Sequence, residues 1–202
     1  MVFDLDGLLL DTEPGWHRAE ASLLQNHGAN YTDADETATL GWSVEATLRR
    51  YLPRLGLGDS ALSGLTSELM ELVRQEYAGP IPALPGAAEL VARLRGQVPL
   101  AIASNTALSL VSLALASAPF GDAFDAVVSA EEVERPKPAP DVYLVACRRL
   151  GVEPGEAIGL EDSASGIAAA KAAGLTVIAV PQWGVVDTSA ADYALASLEE
   201  LR

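Results

Sequence analysis

The sequence predicts an α/β fold: a doubly wound parallel sheet whose first strand is cut off from the rest by an inserted α-helical cap. Three observations predict it. From residue 87 onward, short apolar runs alternate with longer helical patterns, and such alternation builds a parallel sheet covered on both faces. A lone strand-like run, Val2-Phe3-Asp4-Leu5, stands at the start. The stretch between them carries helical patterns and no convincing strand.

Val2 to Leu5 is the first strand. His17 to His27 reads as a helix stopped by Gly28. Val44 to Leu52 reads as a second, broken at Pro53, because proline lacks a donor and clashes with the preceding turn. Ser60 to Tyr77 reads as a third, with Glu68, Glu71 and Glu76 on its polar side. The run from Ala78 to Gly86 is crowded with proline and glycine and reads as a linker. Strands are then expected at Leu100 to Ala103, Ala126 to Ser129, Ala157 to Leu160 and Leu175 to Val180. Helices are expected at Ala87 to Arg95, Leu108 to Ser117, Pro140 to Leu150 and Ala164 to Ala173. Glycines at 96, 151 and 174 supply helix stops. The first strand and the later ones share one sheet, so both ends of the insert must meet the same body. The expected division is a core of residues 1–11 and 82–202 with a cap of 12–81.

Composition narrows the function. Hydrophobic residues at 50% and charged residues at 20% describe a globular chain. Aromatics are only 5%, so the core must be built from aliphatic side chains. The net charge is −15, and Lys137 and Lys171 are the only lysines. That excludes nucleic acid and anionic membranes as natural partners, since both need phosphate neutralised by Lys and Arg. It also means that a small anionic substrate needs a metal or a placed cation. One cysteine, Cys147, allows no internal disulfide, and a cytoplasmic setting follows. No long apolar run marks a membrane span. Cys147 falls on an apolar helix face and reads as a buried thiol; Lys171 should carry its ammonium to water.

In open parallel sheets, ligands sit beyond the carboxyl ends of the strands. Four polar clusters fall there: Asp4-Leu5-Asp6-Gly7, Ser104-Asn105, Lys137, and Glu161-Asp162-Ser163. Any one carboxylate or serine among them could be a helix cap, but four together suggest one chemistry. One of the paired aspartates attacks phosphorus and the other serves as acid and base. Gly7 permits the turn that brings both to one place. Neighbouring acids repel, so a cation is needed, and Mg²⁺ suits carboxylates, a carbonyl, water and a phosphate. Asp162 and Glu161 can complete its shell, while Ser104, Asn105 and Lys137 donate to phosphate oxygens.

These residues resemble the haloacid dehalogenase superfamily: Asp4-x-Asp6-Gly7, the strand-end Ser104, Lys137 in Lys-Pro-x-Pro-Asp, and Glu161-Asp162-Ser163-x-x-Gly166-Ile167. The likeness covers nearly the whole chain. It implies strand order 3-2-1-4-5 and a four- or five-helix cap of the subfamily containing β-phosphoglucomutase and phosphoglycolate phosphatases. The run Asp11-Thr12-Glu13-Pro14-x-Trp16 is similar to hexitol and 2-deoxyglucose-6-phosphate phosphatases of that group. The resemblance implies that Asp4 is the nucleophile and Asp6 the acid/base. Asp4, the Asp6 carbonyl and Asp162 would hold Mg²⁺, with Glu161 near. Ser104 and Lys137 would bind the phosphoryl group, supported by Asn105. The substrate implied is a small phosphorylated metabolite, a sugar or polyol phosphate, and the chain a monomer or homodimer.

The second aspartate argues against a dehalogenase, which has no leaving alcohol to protonate. The absence of lysine from the insert argues against a phosphonatase Schiff base. The rival is a phosphosugar mutase, which needs basic groups for a second phosphate. Asn105, Thr106 and Ala107 follow the strand serine; Val44 stands where the mutase has an arginine after Trp42-Ser43; and Trp16 replaces the cap histidine. Arg18, Arg49 and Arg50 keep that alternative open. A non-catalytic binding module on the same fold is the third reading, opposed by the intact acidic and cationic set. Thr12, Trp16, His17 and Trp42 are further candidates: Thr12 to orient Asp6, the others to touch substrate. The insert is expected to hinge near Leu10 to Glu13 and near Ala78 to Pro82.

Overall fold

A computed structural model describes residues 1–39, 42–182 and 186–201. The chain forms two compact units, one of residues 1–11 and 81–202, the other of Thr12–Pro80. Among the described residues no helix is long and apolar enough to cross a membrane.

The larger unit is a six-stranded parallel sheet. Its strands are β1 (Val2–Phe3), β2 (Ala101–Ser104), β3 (Ala126–Ser129), β4 (Ile158–Glu161), β5 (Thr176–Ala179) and β6 (Tyr193–Ala194), in the order β3-β2-β1-β4-β5-β6. The helices α5 (Ala87–Leu94), α6 (Leu108–Ser117), α7 (Asp141–Leu150) and α8 (Ala164–Ala173) connect them. β1 is short but central, with Val2 opposite both Ala101 and Gly159, so its brevity is compensated by pairing on both sides. Alternate strand residues face opposite layers. Val2, Ala101, Ala103, Val128, Val177 and Ala179 pack with Tyr143, Ala146 and Cys147 of α7 and Ile167 and Ala170 of α8. Phe3 meets the edge of Phe124, with ring centroids 6.0 Å apart. Cys147 is buried, as its place on the helix predicts.

The sixth strand goes beyond the sequence expectation of five. Tyr193 and Ala194 are both exposed and carry no apolar alternation. Asp192 fastens them: its backbone N–H donates to the Val177 carbonyl, and its carboxylate accepts from the Val177 N–H. That carboxylate also takes Lys171 at 2.8 Å, so the ammonium expected to reach free water is paired instead.

Where the chain leaves the sheet unit and returns to it, the two crossings lie side by side. Leu10 and Ala83 form an antiparallel bridge, the Asp11 N–H donates to the Pro82 carbonyl, and the Leu84 N–H to the Leu9 carbonyl. Leu10 and Asp11, expected in a hinge, are therefore tied into a short ribbon.

The smaller unit is helical: α1 (Glu13–Asn26), α2 (Asp33–Thr39), α3 (Val44–Leu55) and α4 (Leu62–Tyr77). Two features differ from the sequence reading. α2 is an added helix; its sequence, DADETAT, has no apolar stripe, and only Asp35 and Thr39 are buried. α3 runs past Pro53 and ends at Gly56, which takes the left-handed conformation with φ 66°. A proline in the last turn forfeits one hydrogen bond but leaves the helix no length to disrupt. The interior holds polar groups as well as leucines. Glu20 is buried and accepts from Tyr51 Oη at 2.5 Å and Thr39 Oγ1 at 3.4 Å. Asp35 is buried too, bound by Thr32 and Arg54.

Candidate active site

The sheet sets the site. The Asp4 N–H donates to the Leu160 carbonyl at 3.0 Å, so pairing with β4 continues through Asp4 and then stops. The Leu5 carbonyl next accepts from both Leu9 and Leu10, while Gly7, at φ 77°, donates to the Leu10 carbonyl. Only glycine enters that conformation without strain. The tight loop keeps Asp4 and Asp6 at the carboxyl edge of the sheet.

Ser104, the last residue of β2, donates its hydroxyl to Asp6 Oδ2 at 3.1 Å and accepts from the Thr106 N–H. Asn105 binds the backbone of Lys137 at both ends: its Oδ1 accepts from the Lys137 N–H at 2.9 Å, and its Nδ2 donates to the Lys137 carbonyl. Asn105, expected to support phosphate, is thus occupied in clamping the lysine loop.

Lys137 lies buried, its Nζ 2.5 Å from Asp4 Oδ1 and 2.5 Å from Glu161 Oε1. Glu161 closes β4 with no exposed surface. Its Oε1 also accepts from Tyr143 Oη, and its Oε2 accepts from Ser163 Oγ at 3.3 Å. Ser163 caps α8 through the Gly166 N–H. A β-carbon on Gly166 would lie 2.0 Å from the Glu161 carboxylate, so that glycine is the space the carboxylate fills. Asp162 follows, half-buried.

The electrostatics are acid-rich. Burial pushes the Asp4 carboxyl well above the carboxylate range; Lys137 pulls it back, and Glu161 and Asp6 push it further up. Burial alone would lower the Lys137 ammonium, but Asp4 and Glu161 outweigh it and hold the lysine charged. One ammonium therefore meets two carboxylates, Asp4 and Glu161, with Asp6 acting on Asp4 as a further acid.

That excess bears on the metal the family resemblance implies. Among the described residues no three acidic, histidine or cysteine side chains form a ready cage. Mg²⁺ does not require one, since it keeps several waters and takes one or two carboxylates plus substrate oxygens. A buried carboxylate whose proton affinity is raised by burial and by acidic neighbours is a donor that a divalent cation fits. Glu161 has both oxygens engaged by protein groups, a different set of partners from the metal shell expected for it.

The candidates Thr12, Trp16, His17 and Trp42 belong to the helical unit. Trp42 is 49% exposed. Trp16 is half-buried on α1. His17 sits 3.0 Å from Glu36 Oε1 and 3.7 Å from Glu13, beside the Tyr31 ring. Burial lowers the imidazole and Glu36 partly offsets it. The Thr12 hydroxyl is buried and makes no hydrogen bond among the described residues. Sequence reasoning missed Tyr143. The available signal was a phenol on the otherwise apolar face of α7, which needs a buried partner.

Known proteins resemble this chain over most of its length. The model of the haloacid dehalogenase-like hydrolases matches residues 1–174. Protein CbbY of Rhodobacter capsulatus is 34% identical, over 98% of this chain and 92% of its own. Hexitol phosphatase B of Escherichia coli (strain K12) is 33% identical, over 99% and 92%. The crystal structure of CbbY from Rhodobacter sphaeroides in complex with phosphate superposes with a TM-score of 0.84 at 30% identity, covering 99% of this chain and 94% of that one. With a matched family model over most of its length and relatives above 30% identity across nearly all of it, the chain belongs to the haloacid dehalogenase-like hydrolases.

Proposed function

We propose that this hydrolase is a Mg²⁺-dependent phosphatase of a small phosphorylated sugar or polyol, acting through a phosphoryl group carried on Asp4. The observation that carries the reading is the buried Asp4, held by Lys137 at 2.5 Å beside Asp6 and Ser104 at the carboxyl edge of the sheet. The name of one relative, hexitol phosphatase B, supports the substrate class.

An Asp4 carboxylate oxygen attacks phosphorus, and the bond from phosphorus to the ester oxygen breaks. Asp6 gives its proton to the departing alkoxide. Water then attacks the phosphoryl group, Asp6 takes its proton, the bond to Asp4 breaks and phosphate leaves. Lys137 binds a non-bridging oxygen and offsets charge as it builds, and Ser104 positions Asp6. Asp4, the Asp6 carbonyl and Asp162 would hold Mg²⁺, which neutralises the carboxylates and the substrate dianion so that they can meet.

The mutase reading needs basic groups for a second phosphate. Arg18 is paired with Glu76, Arg49 with Glu45 and Asp59, and Arg50 faces Asp35 at 3.8 Å. That pairing disfavours the mutase, and the intact network around Asp4 disfavours a non-catalytic module.

The test is phosphate release from a panel of hexitol, sugar and glycolate phosphates, with Mg²⁺ or EDTA. Wild type should release phosphate only with metal, and Asp4→Asn should lose at least about a thousandfold in kcat. Release unaffected by EDTA or by Asp4→Asn would sink the mechanism. Isomerised sugar phosphate in place of free phosphate would establish the mutase.

A further inference from the structure

Tyr143 lies on α7, fully buried, against Lys137 and Glu161. Its hydroxyl donates to Glu161 Oε1, the same oxygen that accepts from Lys137 Nζ. Its ring offers its face to that ammonium, with Nζ 5.1 Å from the centroid. Two features of one side chain therefore act on one cation: a direct attraction to the ring face and a hydrogen bond that fixes the anion beside it.

Lysine needs such help. Its stem has several rotatable bonds, and its ammonium is a compact charge that does not orient itself. Of its two carboxylate partners here, Asp4 must act on phosphorus, so it cannot be the fixed anchor during turnover. Glu161 can, because Ser163 and Tyr143 hold its two oxygens and α8 closes over it at Gly166.

We propose that Tyr143 is a positioning residue for phosphoryl transfer, holding Glu161 and the face of Lys137 so that the ammonium stays aimed at Asp4 while Asp4 reacts. This rests on the phosphatase reading, and the test separates the two. The alternative is a tyrosine that only fills the core.

The experiment uses the full chain, labelled with ¹⁵N-lysine. With only Lys137 and Lys171 present, Lys171→Arg assigns the two ammonium resonances. Wild type, Tyr143→Phe, Tyr143→Leu and the control Cys147→Ala, which removes a buried group from the same helix, are compared by kcat, KM, Tm and ammonium spectrum. Tyr143→Phe keeps the ring and removes only the hydroxyl. It should lower kcat about tenfold, corresponding to one lost charge-assisted bond, and change KM less than threefold. Its Lys137 resonance should keep its ring-current shift but exchange faster with water. Tyr143→Leu should lose the ring-current shift and more of kcat; if it does not fold, Tyr143→Phe still decides. Cys147→Ala, at a similar loss of Tm, should keep both kcat and resonance. The proposal is overturned if Tyr143→Phe retains kcat within twofold with an unchanged ammonium signal. It is equally overturned if Cys147→Ala loses as much kcat as Tyr143→Phe. Should wild type release no phosphate, the phosphatase reading falls alone: a Lys137 resonance that still moves as described supports the positioning, and one unmoved in both Tyr143 variants ends it.

Discussion

Glu161 is a carboxyl side chain with no access to water, and its position depends on a missing side chain. Gly166 leaves room for its carboxylate where any β-carbon would come within 2.0 Å. In Gly166→Ala either the carboxylate or the first turn of α8 must move. Overpacking of this kind costs about 1–3 kcal/mol, measurable as a lower urea midpoint. Displacing Glu161 also releases Lys137, so kcat should fall by at least about tenfold, whereas Ala168→Gly on the exposed side of the same helix should lower stability and leave kcat alone. At this scale much was legible in the sequence. Asp4, Asp6, Ser104, Lys137 and Glu161 each fall at a strand end or in the loop beyond one, and strand ends can be read from apolar runs. The destinations of Asn105 and Tyr143 were not legible. Asn105 bonds to main-chain atoms 32 positions away, and the partner of Tyr143 is 18 positions away. Such pairings come from the packing of α7 and its preceding loop against the sheet, which no local pattern encodes.

The elements themselves were read in proportion to their periodicity. The four strands with full apolar runs stand within a residue or two of expectation. α2 and β6 were not seen, because neither buries an apolar face: one is an acidic turn of helix held by Asp35 and Thr39, the other a pair of exposed residues pinned by Asp192. Polar side chains rather than hydrophobic stripes fix both. The helical unit shows the cost of that strategy in Glu20, inside the packing of α1, α2 and α3. Burial raises its carboxyl, while bonds from Tyr51 and Thr39 partly restore it. A carboxyl raised on folding binds its proton more tightly in the folded chain than in the unfolded one. Its contribution is therefore fully present below the ordinary value of 4.5 and is lost as pH rises through the folded value. Glu20→Gln cannot ionise and still accepts from Tyr51. Its stability relative to wild type should rise between pH 4.5 and 7 by about 1 kcal/mol, read by urea unfolding at several pH values. Asp4, raised in the same direction, is present in both proteins and cancels. A difference independent of pH would show that folding leaves the proton affinity of Glu20 unchanged.

At the scale of the molecule, charge dominates. At −15 the protein repels the dianionic esters proposed as its substrates, and that repulsion acts over distances salt can screen. With Mg²⁺ held saturating, kcat/KM for a sugar phosphate should therefore rise about two- to fourfold as KCl goes from 10 to 150 mM, with kcat nearly constant. A fall would mean that a local positive field outweighs the net charge. The sequence showed this balance plainly, since net charge needs no fold to be counted. It showed that both ends of the insert meet one body, but not the ribbon that fixes them there. Leu9 to Asp11 and Pro82 to Leu84 are stitched together at the base of the insert, so the sheet unit already holds the two cut ends at the spacing of a hairpin. To that unit the whole stretch from 12 to 80 is topologically a single loop. Evolution can lengthen, exchange or excise such a loop without re-registering a strand, so the helical module is free to change without disturbing the chemistry at the sheet edge.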